Sequence, residues 1–116
     1  MVLKNECQPV RRNKLGGCGI GEADTFPVTI PDMGGAFMVS TRLELDPGAS
    51  VGYHRHEGTE EVYFIMSGEG VYTEEGEDCP ALPGDVFLCR EGNSHGILNT
   101  GEDTLVLGAA IAKKQM

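Results

Sequence analysis

Tryptophan is absent from this sequence, aromatic residues make up only 6% of it, and it contains no long apolar run. Residues 105–112 form the longest apolar stretch, which is far too short to span a bilayer. Residues 1–8 lack the apolar core that a signal peptide needs, so we expect a cytoplasmic protein. No segment repeats apolar residues at helical spacing over three turns, which argues against a helical fold.

Positive charge is also scarce and is concentrated near the two ends of the chain. The net charge is −9, and between residues 15 and 112 only Arg42, Arg55 and Arg90 are basic. Such an acidic body repels phosphate backbones and anionic surfaces, so neither nucleic acid nor a membrane is an expected partner. No two cysteines have C-x-x-C spacing, so we expect reduced thiols rather than a zinc or redox motif. The four are Cys7, Cys18, Cys79 and Cys89.

Glycine and proline, by contrast, are abundant, and they divide the chain into two regions. Residues 1–35 read as an N-terminal arm, whose glycine-rich stretch lacks the flanking strand and helix that a phosphate-binding loop requires. Residues 36–116 form the predicted barrel domain, where short β-prone segments alternate with turns every eight to twelve residues or so, a spacing that favours an all-β sandwich or barrel. The predicted strands are 37–45, 53–56, 61–66, 71–73, 86–89, 97–98 and 105–107.

Histidine occurs only three times, and all three residues fall into one pattern with a glutamate. His54 and His56 are two apart in a predicted strand and therefore share one face of it. Glu61 begins the next strand after a short connection, and His95 follows a later strand and a glycine-containing loop. An isolated histidine is more often a structural residue. Three imidazoles and a carboxylate together, however, suit one divalent ion of Mn, Fe, Co, Ni, Cu or Zn.

These residues carry a resemblance to the cupin superfamily. The first cupin motif is matched at every fixed position, by Gly48, His54, His56, Glu61 and Gly68. The second motif is matched by Gly84, Gly92, His95 and Asn99. It departs from the family at Arg90, where cupins usually have proline. The resemblance extends over residues 36 to 112 or so and leaves the arm outside it.

The resemblance implies a double-stranded β-helix, the jelly-roll cupin barrel, with one metal ion held in its mouth by His54, His56, Glu61 and His95. It also implies a homodimer, in which the arm could contribute an exchanged strand. Glu60 is the rival carboxylate. If Glu61 faces inward, strand alternation turns Glu60 away from the site.

Four more side chains are predicted near the metal: Arg42, Tyr63, Arg90 and Asn99. Tyr63 shares the inward face of Glu61 and is the candidate catalytic residue, as a hydrogen-bond donor, with core packing as its alternative role. Asn99 shares the face of His95. Arg90 could place a cation at the mouth, and Arg42 could line the pocket or pair with a neighbouring carboxylate on the surface.

Four protein ligands leave about two open positions on an octahedral ion, where two adjacent oxygens of one small molecule can bind. We therefore expect a small oxygen-rich ligand, such as a hydroxy or keto acid, a diketone or a sugar-like compound. One hypothesis is a metal-dependent isomerase or decarboxylase that uses Lewis-acid chemistry, or a dioxygenase. The alternative hypothesis is a non-enzymatic module that binds a small molecule or the metal itself.

Overall fold

In the computed structural model, which describes residues 9–27 and 35–113, the chain forms ten β-strands, one 3-10 helix and no α-helix. The strands are β1 Val10–Asn13, β2 Glu22–Pro27, β3 Phe37–Leu45, β4 Ser50–Arg55, β5 Thr59–Ser67, β6 Gly70–Glu74, β7 Glu77–Ala81, β8 Val86–Cys89, β9 Ser94–Asn99 and β10 Leu105–Lys113. The 3-10 helix, Leu15–Gly17, lies between β1 and β2. The described part of the chain has no helix that is long and apolar enough to cross a membrane.

The strands form two antiparallel sheets around a shared core. The six-stranded sheet has the order β1-β2-β3-β10-β5-β8, and the four-stranded sheet has the order β4-β9-β6-β7. In the first sheet, Leu107 of β10 lies opposite Leu43 of β3 and Ile65 of β5. In the second sheet, the pairing of β4 with β9 places His54 directly opposite His95. The prediction of an all-β barrel is therefore confirmed.

The core is filled by side chains at alternate positions of both sheets, as the two-residue period of a strand requires. Leu45, Leu105 and Leu107 of the six-stranded sheet are completely buried. Tyr72 and Ile97 of the four-stranded sheet belong to the same buried cluster. Removal of this apolar surface from water is the main favourable term that holds the two sheets together.

Strand β5 shows how this alternation positions polar groups inside the barrel. Glu61, Tyr63 and Ile65 are 6%, 1% and 3% exposed, whereas Glu60 and Phe64 are exposed to solvent. The predicted inward face of this strand is confirmed, and Glu61 rather than Glu60 is the inward carboxylate. Arg55 is exposed and does not lie on the strand face that carries the histidines. Its Nε is 3.8 Å from Glu57 Oε1.

Three strands were not predicted: β1, β2 and β7. All four residues of β1 are exposed, and β7 contains a proline, so neither carries the alternating apolar pattern that identifies a strand. β1 and β2 nevertheless form a hairpin that extends the six-stranded sheet of their own chain, with β2 paired to β3. Exchange of this arm with a second copy, and its boundary at residue 35, stay predictions, because residues 28–34 lie outside the described part.

The described cysteines are unpaired, in agreement with the expectation of free thiols. Cys18 and Cys79 are exposed, and Cys89 is fully buried at the end of β8. Burial, reinforced by nearby carboxylates, raises the pKa of Cys89 to about 12, so it remains a neutral thiol that fills the core. Cys7 lies outside the described residues.

Candidate metal centre

Three imidazoles and one carboxylate point their ligand atoms at a common point inside the barrel. His56 Nε2 lies 3.2 Å from His54 Nε2, 3.0 Å from His95 Nε2 and 3.1 Å from Glu61 Oε1. His95 Nε2 lies 2.9 Å from the same Glu61 oxygen. Four ligand atoms, one from each residue, lie within 4.8 Å of one another, and the group could hold a metal ion.

The two sheets deliver these side chains from separate strands. His54 and His95 face each other across the β4–β9 ladder, and Glu61 comes from β5 in the opposite sheet. His56 follows the end of β4 in a short connection, where its backbone N–H donates to Asn93 O and its carbonyl accepts from Gly92 N. These two main-chain hydrogen bonds therefore hold His56 in place although it lies outside a strand.

Each imidazole has a second partner at Nδ1, which orients the ring. His54 Nδ1 donates to the Gly52 carbonyl at 2.6 Å, and His56 Nδ1 lies 2.9 Å from the Thr59 hydroxyl. A carbonyl can only accept, so His54 carries its proton on Nδ1 and turns the lone pair of Nε2 toward the cluster. Such outer partners orient metal-binding histidines in proteins generally.

His95 has the longest chain of outer partners. The hydroxyl of Tyr72 lies 3.0 Å from His95 Nδ1 and donates to Glu74 Oε1 at 2.6 Å. Asn93 Nδ2 donates to the other Glu74 oxygen at 3.0 Å. Burial and the Glu74 carboxylate raise the pKa of Tyr72, so its hydroxyl keeps the proton that it donates. The hydroxyl oxygen can then accept a hydrogen bond from His95 Nδ1–H, which leaves the lone pair of Nε2 for a metal ion.

The electrostatics of the cluster favour a cation at its centre. His56, Glu61 and His95 are at least nine-tenths buried. Burial lowers the pKa of His56, against the opposing effect of Glu61, which favours the neutral ring. With its proton on Nδ1, toward the Thr59 hydroxyl, the neutral ring offers the lone pair of Nε2 to the cluster. Two Nε2 lone pairs 3.0 Å apart repel each other, and either a shared proton or a cation between them relieves that repulsion. A divalent transition-metal ion satisfies all four groups at once, and three nitrogens with one oxygen suit such an ion.

A cavity of about 340 Å³ opens beside the cluster, within the usual size range of small-molecule sites. Its wall includes His54 and Glu61 from the cluster, Tyr63, and three residues of β3, Val39, Thr41 and Leu43. The Tyr63 ring stacks on His95, with ring centres 5.0 Å apart. Burial, together with the nearby Glu61 carboxylate, raises the pKa of Tyr63 well above its ordinary value, so its hydroxyl stays protonated.

The structure brings Tyr63 to the cluster but leaves the other three predicted pocket residues outside the cavity. Arg42 lies on the outer face of β3, where its Nε donates to Glu44 at 2.9 Å and its guanidinium covers the Phe26 ring. Arg90 is exposed in the loop after β8. Asn99 is buried, yet its amide donates to the carbonyls of Leu45 and Asp103, so it fastens a turn.

The N-terminal hairpin contributes cavity residues that the sequence pattern did not identify. Arg12, Leu15, Gly16 and Thr25 line the cavity together with the cluster. Gly16, at a φ of 71°, packs so closely on the site that an added Cβ would lie 2.7 Å from His54 Nδ1. The glycine-rich stretch 15–21 was the available signal, but it indicates close backbone approach rather than the surface that is approached.

Comparison with known proteins agrees with this geometry. A family model described as the cupin domain matches residues 41–111. A Thermotoga maritima protein named oxalate-binding protein is 38% identical over 112 residues, which span 96% of this chain and 92% of that protein. A crystal structure from the same organism, described as a predicted oxalate decarboxylase, has a TM-score of 0.91 and 38% identity and covers 98% of this chain and 100% of that one. The cupin domain of Cnp3 from Schizosaccharomyces pombe, 17% identical, shares the fold at a TM-score of 0.71, over 79% of this chain and 65% of that one.

The Tyr72–His95 contact predicts that a residue outside the ligand set controls metal affinity. Tyr72→Phe removes the hydroxyl that accepts from His95 Nδ1, so we expect the affinity for Mn²⁺ or Co²⁺ to fall about 10- to 100-fold. Titration calorimetry of the metal-free protein measures this loss. Tyr53→Phe is the matched control, because Tyr53 is 48% exposed and its hydroxyl contacts only the backbone N–H of Gly76 among the described residues. Equal affinities for the two variants would contradict the assigned role of Tyr72.

Proposed function

The chain belongs to the cupin domain family, and we propose that it binds one divalent transition-metal ion and, on that ion, a small oxygen-chelating carboxylate. The proposal rests on one observation, the convergence of three Nε2 atoms and Glu61 Oε1. We infer that His54, His56, Glu61 and His95 hold the ion. The bound ion would supply Lewis-acid positions for two adjacent oxygens of the ligand.

Oxalate is the first ligand to test, because it is a small dicarboxylate that can present two adjacent oxygens to one ion. The name of the Thermotoga maritima oxalate-binding protein, at 38% identity over nearly the whole chain, supports this choice. So does the size of the cavity, about 340 Å³, which suits a small molecule rather than a polymer. Tyr63 keeps its one hydroxyl proton and directs it at Glu61, and we propose that this hydrogen bond turns to a ligand oxygen when Glu61 binds the ion.

The residues around the cavity support binding better than turnover. Decarboxylation or isomerisation needs a group that gives or takes a proton near neutral pH. Among the described residues that line the cavity, the only titratable side chains besides His54 and Glu61 are Arg12 and Tyr63. The first is always protonated, and the second has a strongly raised pKa. Besides two proposed metal ligands, the described residues of the cavity therefore offer no such acid or base, which favours a role as a binding protein.

A homodimer is the proposed assembly, and the outer face of β5 and β8 supports it. Phe64, Met66, Val86 and Leu88 are 50%, 53%, 56% and 44% exposed, and β5 pairs with β8 so that Phe64 lies opposite Val86. An apolar patch of large side chains on one sheet face is typical of an interface. A second copy of the chain would cover it.

The metal proposal predicts that oxalate binding depends on Glu61 and not on its neighbour. In Glu61→Gln the cluster loses its one anionic ligand, so we expect a fall in metal affinity greater than the roughly 10- to 100-fold effect of an outer partner. Oxalate binding should be lost with the metal. Calorimetry with metal-loaded and chelator-treated protein measures both affinities.

Glu60→Gln is the control for that experiment, since it removes the same charge one position along β5 on the exposed face. It should bind metal and oxalate like the unaltered protein. The proposal fails if chelator-treated protein binds oxalate as tightly as the metal-loaded form, or if the two variants behave alike.

The dimer proposal predicts a solution mass of twice 12.4 kDa, and light scattering measures it. Phe64→Glu places a charge in the apolar face, so this variant should have the mass of one chain while it retains metal binding. A monomeric unaltered protein would rule out this assembly.

A further inference from the structure

One cationic side chain lies in the cavity beside the cluster. Arg12 lines this cavity together with His54 and Glu61, and it belongs to β1, outside the residues that match the family model. The hairpin that carries it forms one edge of the six-stranded sheet. An arginine beside this cluster of three imidazoles and one carboxylate, in a chain of net charge −9, is a candidate contact for an anionic ligand.

The orientation of Arg12 is fixed by hydrogen bonds that leave most of its guanidinium available. Its Nε donates to the hydroxyl of Thr25 at 3.2 Å. Thr25 is 5% exposed, and its own hydroxyl donates to the carbonyl of Val10 at 3.0 Å. A guanidinium has five N–H donors, and this arrangement uses one of them.

The neighbouring arginine shows what an ordinary surface position in this hairpin looks like. Arg11 is paired with Glu22, Asp24 and Asp46. In residues 9–27 and 35–113, by contrast, no carboxylate lies within 4.0 Å of the Arg12 nitrogens. Both arginines are exposed and line an outer groove of the hairpin, but only Arg12 also lines the cavity beside the cluster. The cavity therefore receives the cation that has no carboxylate partner among the described residues.

The hairpin is also held against the centre by its own backbone. An added Cβ would lie 2.7 Å from His54 Nδ1 at Gly16 and 2.3 Å from Ser50 O at Gly19. On β4, an added Cβ at Gly52 would lie 2.4 Å from Cys18 Sγ. Three glycines therefore permit close packing of the segment that follows β1 on β4, the strand that carries His54.

We propose that Arg12 determines the ligand class by binding an anionic group of the ligand that the metal does not neutralise. This inference rests on the proposed function, in which the metal holds one pair of ligand oxygens. A guanidinium matches a carboxylate with two parallel hydrogen bonds. The cavity therefore selects a small dicarboxylate over a monoanionic or neutral chelator of the same shape.

Oxalate and oxamate are the probes, because oxamate has nearly the same shape as oxalate and replaces one carboxylate with a neutral amide. The Mn²⁺-loaded protein, its Arg12→Gln and Arg12→Lys variants and the control Arg55→Gln are titrated with each by calorimetry. Arg55→Gln removes the same charge from an exposed side chain that lies beside Glu57. Metal affinity and thermal unfolding of each variant are measured in parallel.

We expect Arg12→Gln to weaken oxalate binding about tenfold more than oxamate binding, with unchanged metal affinity and unfolding temperature. Arg12→Lys should recover part of the preference, and Arg55→Gln should keep all of it. The inference is overturned if Arg12→Gln binds oxalate like the unaltered protein, or loses both probes equally. If the metal-loaded unaltered protein binds neither probe, the proposed function fails as well, which distinguishes the two failures.

Discussion

Repulsion among the Nε2 lone pairs of three clustered imidazoles, two of them buried, is the physical constraint on which the proposed metal site depends. Nε2 atoms of His56 and His95 lie 3.0 Å apart inside the barrel, and Glu61 adds an anionic oxygen to the same point. Burial of polar groups without partners is costly, so the arrangement needs compensation. Hydrogen bonds between each Nδ1 and the Gly52 carbonyl, the Thr59 hydroxyl or the Tyr72 hydroxyl supply the outer half of that compensation. In the proposed function, a cation at the centre supplies the inner half.

The sequence signals a strand mainly through alternation of side chains with a period of two. This alternation explains which features of the site could be predicted. His54 and His56 share a face, and Glu61 begins a strand whose inward positions include Tyr63. The spacing of Glu61 to Gly68 in the cupin motif favours Glu61 over Glu60, and alternation then places Glu60 on the opposite face. The same rule could not place Asn99. Alternation distinguishes inward from outward side chains, and Asn99 is an inward one. Its side-chain amide, however, donates hydrogen bonds to the carbonyls of Leu45 and Asp103, so it stabilises a turn that lies outside the cavity.

Arg42 and the N-terminal hairpin show the other limit of sequence reasoning. Two positions were open for Arg42, and its contacts with Glu44 and Phe26 place it on the outer face. Strand β1 has four exposed residues and no apolar pattern, so its place in the sheet depends on pairing with β2, which pairs with β3. Such long-range pairing leaves no local signal. The hairpin adds Arg12 to a site whose proposed metal ligands lie within the residues that match the family model, in keeping with the general rule that function varies in the segments around a fold.

The most direct measurement is anomalous diffraction from crystals of the protein loaded with Mn²⁺ or Co²⁺. We expect one strong anomalous peak at the cluster. The metal ion should lie about 2.0–2.2 Å from Nε2 of His54, His56 and His95 and from a Glu61 oxygen. Each Nδ1 should keep its present partner. A metal bound through any Nδ1, or a peak located away from these four residues, would contradict the central claim.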